Sequence, residues 1–444
     1  MFGINQPMSK MSFALTPEEN FIWECARSWR HPSPHLITDD LDWSRIAEIV
    51  KTNRMETLLI GWLTQLDRLN QLPVDARQIL QEGAEKYAQN AAIMGDSLQI
   101  YLQLAAERNI ETAVLKGLSI SINLYDNAAM RPGGDIDILV REKDVAASME
   151  ILDQMKIGQN WPNLMHDDYY TRHHLHQQRC TADLKLWYEI HWALDHPLTR
   201  LTIDYEGMMD RATAGTLLDA PLHDLSWPDN LIALSVHLVK HAVYLTSILH
   251  RPDLARIILA DGMLMYFLDV VELLQRHGEQ LDWQQTIDLC HRYGTAEMVG
   301  AVLQVCEQLF DVALPDGALA KLPVLPPNRL KRHIMNRAVE HETAVYLNQP
   351  QSRLWHFLLV TNGAFILRPI RLLDLLDYFF PGRDYLQRKY QSSGGITAVS
   401  HSFRALIQYG RVGIDTIYFT WERYWRLRRL KQSTSLFNRL EVET

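Results

Sequence analysis

The run Met130-Arg131-Pro132-Gly133-Gly134-Asp135-Ile136-Asp137-Ile138-Leu139-Val140 constrains this chain more than any other stretch. Apart from two acids, its second half is β-branched or aliphatic, the pattern of a buried strand with carboxylates at its entry. Side chains alternate faces along a strand, so Asp135 and Asp137 look to one side and Ile136 and Ile138 to the other. Two ionised carboxylates side by side repel, and the pair is costly unless a cation or a shared proton compensates. A divalent metal is the simplest partner. Mg²⁺, or Mn²⁺ in its place, takes hard oxygen ligands, commonly carboxylates with waters and substrate phosphates, so this strand suits a metal–nucleotide complex.

The flanking residues extend that reading. Gly133-Gly134 lets the backbone approach a ligand closely or take a positive φ. Leu115-Lys116-Gly117-Leu118-Ser119 reads as a strand end, a glycine turn and the start of a helix through Ile120, Ile122 and Leu124. Such a turn offers free N–H groups and the positive end of a helix dipole, where phosphate tends to sit, and Lys116 adds a point charge there. An Asp-x-Asp pair alone also occurs at strand edges and turns, and a lone glycine turn is no more specific. Their order and spacing gain weight from a third acidic strand, Leu184 to Trp192. Alternation puts Trp187, Glu189 and His191 on one of its faces and Leu186, Tyr188, Ile190 and Trp192 on the other. Glu189 is a candidate third carboxylate. His191 either orients substrate or is a satisfied, partly buried histidine.

A glycine turn, Asp-Ile-Asp on a strand and an acid on a later strand together resemble the DNA polymerase β-type nucleotidyltransferase superfamily. More closely, Leu115-Lys116-Gly117, Leu124-Tyr125, Arg131-x-x-Gly134-Asp135-Ile136-Asp137-Ile138-Leu139-Val140 and Glu189-Ile190-His191-Trp192 resemble an uncharacterised nucleotidyltransferase family often found beside bacterial polysaccharide or peptide biosynthesis genes. The likeness extends from Leu231 to about Leu309, through a His-x-x-x-His helix and a Phe-Leu-Asp-Val helix. It implies an α+β fold with a polymerase β-like core, a small mixed sheet with helices, flanked by helical regions. It implies that Asp135, Asp137 and Glu189 are catalytic and hold Mg²⁺ or Mn²⁺, with Lys116, Gly117, Ser119, Arg131 and Gly134 around the nucleotide. The implied reaction transfers an NMP from an NTP, ATP among the candidates, to an acceptor hydroxyl and releases pyrophosphate. The acceptor is a small molecule, a sugar, a peptide or a protein. This chain departs from the superfamily in two respects: the loop from Gly117 to Asp135 is long for the general pattern, though it suits this particular family, and Gly117 is followed by Leu118 before Ser119, so Lys116 and Arg131 are expected to take over phosphate contacts. Two rivals stand beside the enzyme: a non-catalytic nucleotide-binding scaffold, and a toxin-system nucleotidyltransferase acting on tRNA or a protein.

At 444 residues the chain exceeds one ordinary core. The division expected is an N-terminal helical region over 1–110, the nucleotidyltransferase core over 111–215, a helical domain over 216–322 and a C-terminal helical region over 328–444. The net charge of −9 argues against a general nucleic-acid binder. Residues 351–444 nevertheless carry 14 Lys/Arg against 7 Asp/Glu. Within them, Trp421 to Lys431 mixes aromatics with arginine, suiting a partner surface, peripheral contact with an anionic membrane or simply a solvated helix face. Cys25, Cys180, Cys290 and Cys306 include no Cys-x-x-Cys pair and fit reduced thiols. Residues 1–15 lack a signal-peptide pattern, and no apolar run reaches the roughly 20 residues of a membrane span, so a cytoplasmic location is expected.

Helix signals punctuate the remainder. Thr16-Pro17-Glu18-Glu19 is an N-cap, a proline at the first helical position and a first-turn acid pair, opening a helix to about Trp29. Asp42 caps a second helix, and a long one is expected from about Asp75 to Arg108. Arg141 to Asp144 opens an amphipathic helix ending near Gly158. His166, His173, His174 and His176 invite a zinc reading, but adjacent strand histidines face opposite ways and no cysteine completes a tetrahedral set, so a solvated or substrate-facing hairpin is expected. His237 and His241 lie one turn apart without the glutamate of a metalloprotease helix, with Lys240 beside them; packing or a substrate-side contact is expected. Met263 to Val271 reads as core, Leu322 to Pro327 as a linker, and Arg353 to Phe380 as an amphipathic helix pair.

Overall fold

The computed structural model describes residues 15–33, 41–158, 174–183, 185–195, 201–242, 245–324, 380, 383–407 and four further positions, 410, 411, 414 and 418. The expectations for His166, His173, the second half of the Leu322–Pro327 linker, the 353–379 stretch and the 421–431 tail lie outside the described residues.

Local signals set the first helices. In α1 (Pro17–Ser28), Thr16 Oγ1 accepts from the Glu19 N–H at 3.2 Å while Glu19 returns a carboxylate to the Thr16 N–H at 2.8 Å, a reciprocal capping box. Asp42 caps α2 (Trp43–Asn53) through the N–H groups of Ser44 and Arg45. The next helix, α3 (Glu56–Gln65), lacks a capping side chain, so only its burial announces it. A 34-residue helix, α4 (Val74–Glu107), then runs roughly 50 Å along the molecule.

The sheet follows. Its elements are β1 (Thr112–Val114), α5 (Leu118–Tyr125), β2 (Ile136–Val140), α6 (Val145–Gln154), β3 (His176–Cys180) and β4 (Trp187–His191). The four strands lie in the order β1-β2-β4-β3; β2 and β4 are parallel, and the outer pairings are antiparallel. Strand β2 is buried throughout, as expected of a strand covered on both faces. One face packs Ile136, Ile138, Tyr188 and Ile190 against Leu98 and Tyr101 of α4 and Ile151 of α6. Tyr188 also reaches Ser97 on α4, hydroxyl to hydroxyl, at 2.9 Å. On the other face Leu139 joins a second core built largely of helices.

The chain continues through α7 (Tyr205–Arg211), whose Met208 and Met209 join that second core, and the hairpin of β5 (Thr213–Leu217) and β6 (Ala220–Asp224), whose turn residues Leu218 and Asp219 take φ of 52° and 60°. The same core comprises α8 (Trp227–His241), α9 (Leu245–Ile248), α10 (Leu254–Ala260), α11 (Leu264–His277), α12 (Trp283–Tyr293), α13 (Ala296–Phe310) and α14 (Ala318–Lys321). Ile22 and Trp62 from the first helices share its interior with Leu231, Met265, Phe267 and Val302. A buried Glu19–Arg256 ion pair at 2.9 Å fastens α1 to α10. A further helix, α15 (Arg383–Tyr390), lies beyond residue 324. No helix among the described residues is long and apolar enough to cross a membrane.

Candidate active site

The sheet face turned toward the helical core carries the polar residues. Strand pairing sets Asp137 of β2 opposite Glu189 of β4, and Gln178 and His176 of β3 opposite Glu189 and His191. Residues opposite one another share a face, so the three strands present one polar surface. Asp135 lies one residue before β2, at its mouth. The segment after β1 closes on the same place: the Leu115 N–H continues the ladder onto the Asp137 carbonyl at 3.1 Å, which aims Lys116 into the site. Lys116 Nζ sits 2.8 Å from Asp137 Oδ2 and 3.3 Å from both oxygens of Asp135. Gly117 then turns the chain into α5 with φ 64° and ψ −116°, a conformation that only glycine adopts without strain.

Charge governs the remaining contacts. His191 Nε2 lies 3.0 Å from Asp137 Oδ1 and 3.3 Å from Glu189 Oε2, while its Nδ1 lies 3.1 Å from the Ala193 carbonyl oxygen. Burial opposes a charge on this ring, but hydrogen bonds to Asp137 and Glu189 and the charges of both outweigh it and raise the imidazolium to about 9. Both ring nitrogens therefore donate. Burial likewise opposes the Lys116 ammonium, and the charges of Asp137, Asp135 and Glu189 overcome it, shifting the group upward. Glu189 is raised by burial, yet the hydrogen bond and charge of His191 hold it below the usual carboxylate range. The Gln178 side-chain amide donates to its other oxygen, Oε1.

Neutral histidines border this charged group. The His176 ring lies 4.7 Å from that of His191 and 4.6 Å from that of His174. Burial pushes His174 down to about 4 and His176 further below the ordinary range. From the helical side, Lys240 donates to the Leu194 carbonyl at 2.9 Å, and His237 and His241 pack with Tyr266.

The residues expected around a nucleotide are placed differently from one another. Lys116 and Gly117 are at the carboxylates. A Cβ built on Gly134 meets no atom within 4 Å, so the chain there borders open space, and its φ is not positive. Ser119 stands in the first turn of α5, its hydroxyl accepting from Asn123 at 3.3 Å. The Arg131 guanidinium is buried on Asp269 of α11 at 2.9 and 3.0 Å, and Tyr125 donates to the same carboxylate at 3.1 Å. These contacts tie the loop before β2 to the helical core. Two neighbours of the site are not assigned to it by sequence: Gln178 is not among the expected residues, and His176 is expected only on a solvated or substrate-facing hairpin. Continuing the alternation back across β3 finds them, since His174, His176 and Gln178 fall on one face.

Asp135, Asp137 and Glu189 each offer an oxygen, and these ligand atoms lie within 4.8 Å of one another. An all-carboxylate set of this kind fits a hard divalent cation. Lys116 and His191 now balance part of the same negative charge. A small mixed sheet presenting paired aspartates and a third acid across a parallel strand, flanked by helices, is an α+β nucleotidyltransferase core. Residues 39–311, more than half of the chain, match the family described as uncharacterised nucleotidyltransferase, and the chain belongs to that family. Its general activity is accordingly nucleotidyl transfer. No curated protein and no solved structure matches the chain.

Proposed function

We propose that this protein transfers a nucleoside monophosphate from an NTP to an acceptor hydroxyl and releases pyrophosphate. The observation that supports it most is the convergence of buried Asp137 with the partly exposed Asp135 and Glu189 beside the Lys116–Gly117 turn. Mg²⁺ or Mn²⁺, when bound, would polarise the α-phosphate and offset charge developing on the leaving pyrophosphate. Asp135 and Asp137 would hold that ion. Glu189, kept ionised by His191, is suited to accept the proton of the attacking hydroxyl, which must be lost for in-line attack. Lys116, freed from the aspartates as the metal complex enters, would steady the triphosphate, and the N–H groups at the start of α5 beside Ser119 and the open backbone at Gly134 would border it. Arg131 acts indirectly here, fixing the loop that carries Asp135. The acceptor is a small molecule, a sugar, a peptide or a protein side chain. A cytoplasmic location suits the four buried cysteines, none of which is in a disulfide.

One observation favours a second reading. Lys116 pairs with both aspartates and offsets part of their charge, as would suit a non-catalytic nucleotide-binding scaffold. Incubation with α-labelled NTPs and a fractionated acceptor pool separates the two. The enzyme attaches label to an acceptor and releases pyrophosphate, and Asp137→Asn lowers that rate by about 100-fold or more while keeping the fold. An undiminished rate in Asp137→Asn rules the mechanism out, and absence of transfer with every NTP supports the scaffold.

A further inference from the structure

Beside the all-oxygen set, β3 and β4 assemble a second group of ligand atoms of different chemistry. His176, Glu189 and His191 each offer one, and these lie within 4.8 Å of one another. His176 and His191 are direct partners across the antiparallel pair, so the backbone register itself fixes two imidazoles side by side. Each ligand is also oriented. His191 Nδ1 faces the Ala193 carbonyl at 3.1 Å, the contact that typically sets the tautomer of a metal-ligating histidine and leaves Nε2 for the ion. The Gln178 amide holds Glu189 Oε1, leaving Oε2 at 3.3 Å from both His191 Nε2 and His176 Nδ1. His176 Nδ1 is buried and has no hydrogen-bond partner, an unmet need that a coordinated cation would satisfy.

We infer that His176, Glu189 and His191 form a second divalent-metal site, selective for a borderline transition ion of the Zn²⁺ or Co²⁺ class over Mg²⁺. Imidazole nitrogen binds such ions well and Mg²⁺ poorly, whereas the neighbouring carboxylates suit Mg²⁺. Two histidines and one carboxylate leave a coordination position open, as in catalytic rather than structural sites. The proton now on His191 Nε2 leaves to solvent as the ion enters. The site shares Glu189 with the proposed nucleotide site but requires no nucleotide, so the two stand or fall separately.

The test is calorimetric titration of the chelator-dialysed full-length chain with Co²⁺ and, separately, Mg²⁺, in the absence of nucleotide. The wild type should bind Co²⁺ more tightly than Mg²⁺. His176→Ala and His176→Gln should each weaken Co²⁺ binding by about tenfold or more and leave Mg²⁺ binding unchanged, with native far-ultraviolet circular dichroism. Equal Co²⁺ affinity in the wild type and either folded variant overturns the site, as does a wild type that prefers Mg²⁺. Loss of NTP binding together with retained, His176-dependent Co²⁺ binding would count against the nucleotidyl-transfer reading alone.

Discussion

At the scale of single residues, Lys116 and His191 decide how three carboxylates, one of them wholly buried, coexist on one sheet face. Lys116 is largely buried and its closest partner, Asp137, wholly so, which makes its removal costly. Lys116→Met should destabilise the metal-free protein by about 3–5 kcal/mol, the usual result of leaving one side of a buried pair uncompensated. Mg²⁺ should then raise the melting temperature of the variant more than that of the wild type, because the ion replaces the missing charge. Equal Mg²⁺ shifts in the two proteins would mean that the carboxylates do not hold the ion. His191 gives a pH dependence. Its pKa rises from an ordinary 6.5 to about 9 in the folded chain, so its contribution is fully present below pH 6.5 and is lost as pH climbs through 9. The shift corresponds to roughly 3 kcal/mol. In chemical denaturation of metal-free protein, the stability advantage of wild type over His191→Gln should shrink across that window; a constant advantage contradicts the imidazolium assignment. These residues differed in legibility. Asp135, Asp137, Glu189 and Lys116 stand in short stretches whose alternation fixes their faces. The positive charge on His191 depends on Asp137, which is 54 positions away and opposite Glu189 only after the strands pair.

At the scale of elements, the buried Arg131–Asp269–Tyr125 group joins the loop before β2 and the end of α5 to α11. Arg131→Met should cost about 3–5 kcal/mol, since it strands the Asp269 carboxylate in the core. Arg131→Lys should recover only part of this, having no planar fork to match the carboxylate. Urea denaturation checks both, and an unchanged midpoint for Arg131→Met would show that the link carries no load. The sequence carries Leu124-Tyr125, Arg131 and Phe267-Leu268-Asp269 as separate motifs, and only folding reveals them as one network. That is why Arg131, which sequence alone suggests for phosphate contact, is found in a structural tie. Helix α1 was legible to within a residue at its start because Thr16, Pro17 and Glu19 encode the cap locally. Helix α3 lacks a cap, and the β5–β6 hairpin turns through Leu218-Asp219 instead of Asn-Gly, so neither carries the usual signal.

At the scale of the whole molecule, the polar sheet face looks toward a helical core to which the first helices and the helices after the sheet both contribute. Phe21, Ile22 and Trp62 share an interior with Leu231, Phe267 and Val302, an association across some 200 positions that no local pattern in the chain announces. The site therefore lies where a small sheet meets that core, with Lys240 and the His237–His241 pair on the helical side. The central claim is that this meeting place binds a nucleotide through metal held by Asp135 and Asp137. The most direct measurement is calorimetric titration of each NTP, with and without Mg²⁺, into wild type and Asp135→Ala/Asp137→Ala. Mg²⁺-dependent binding of at least one NTP to the wild type, lost in the folded double variant, is the predicted result. Failure of the well-folded wild type to bind any NTP, or equal binding by the double variant, would contradict it.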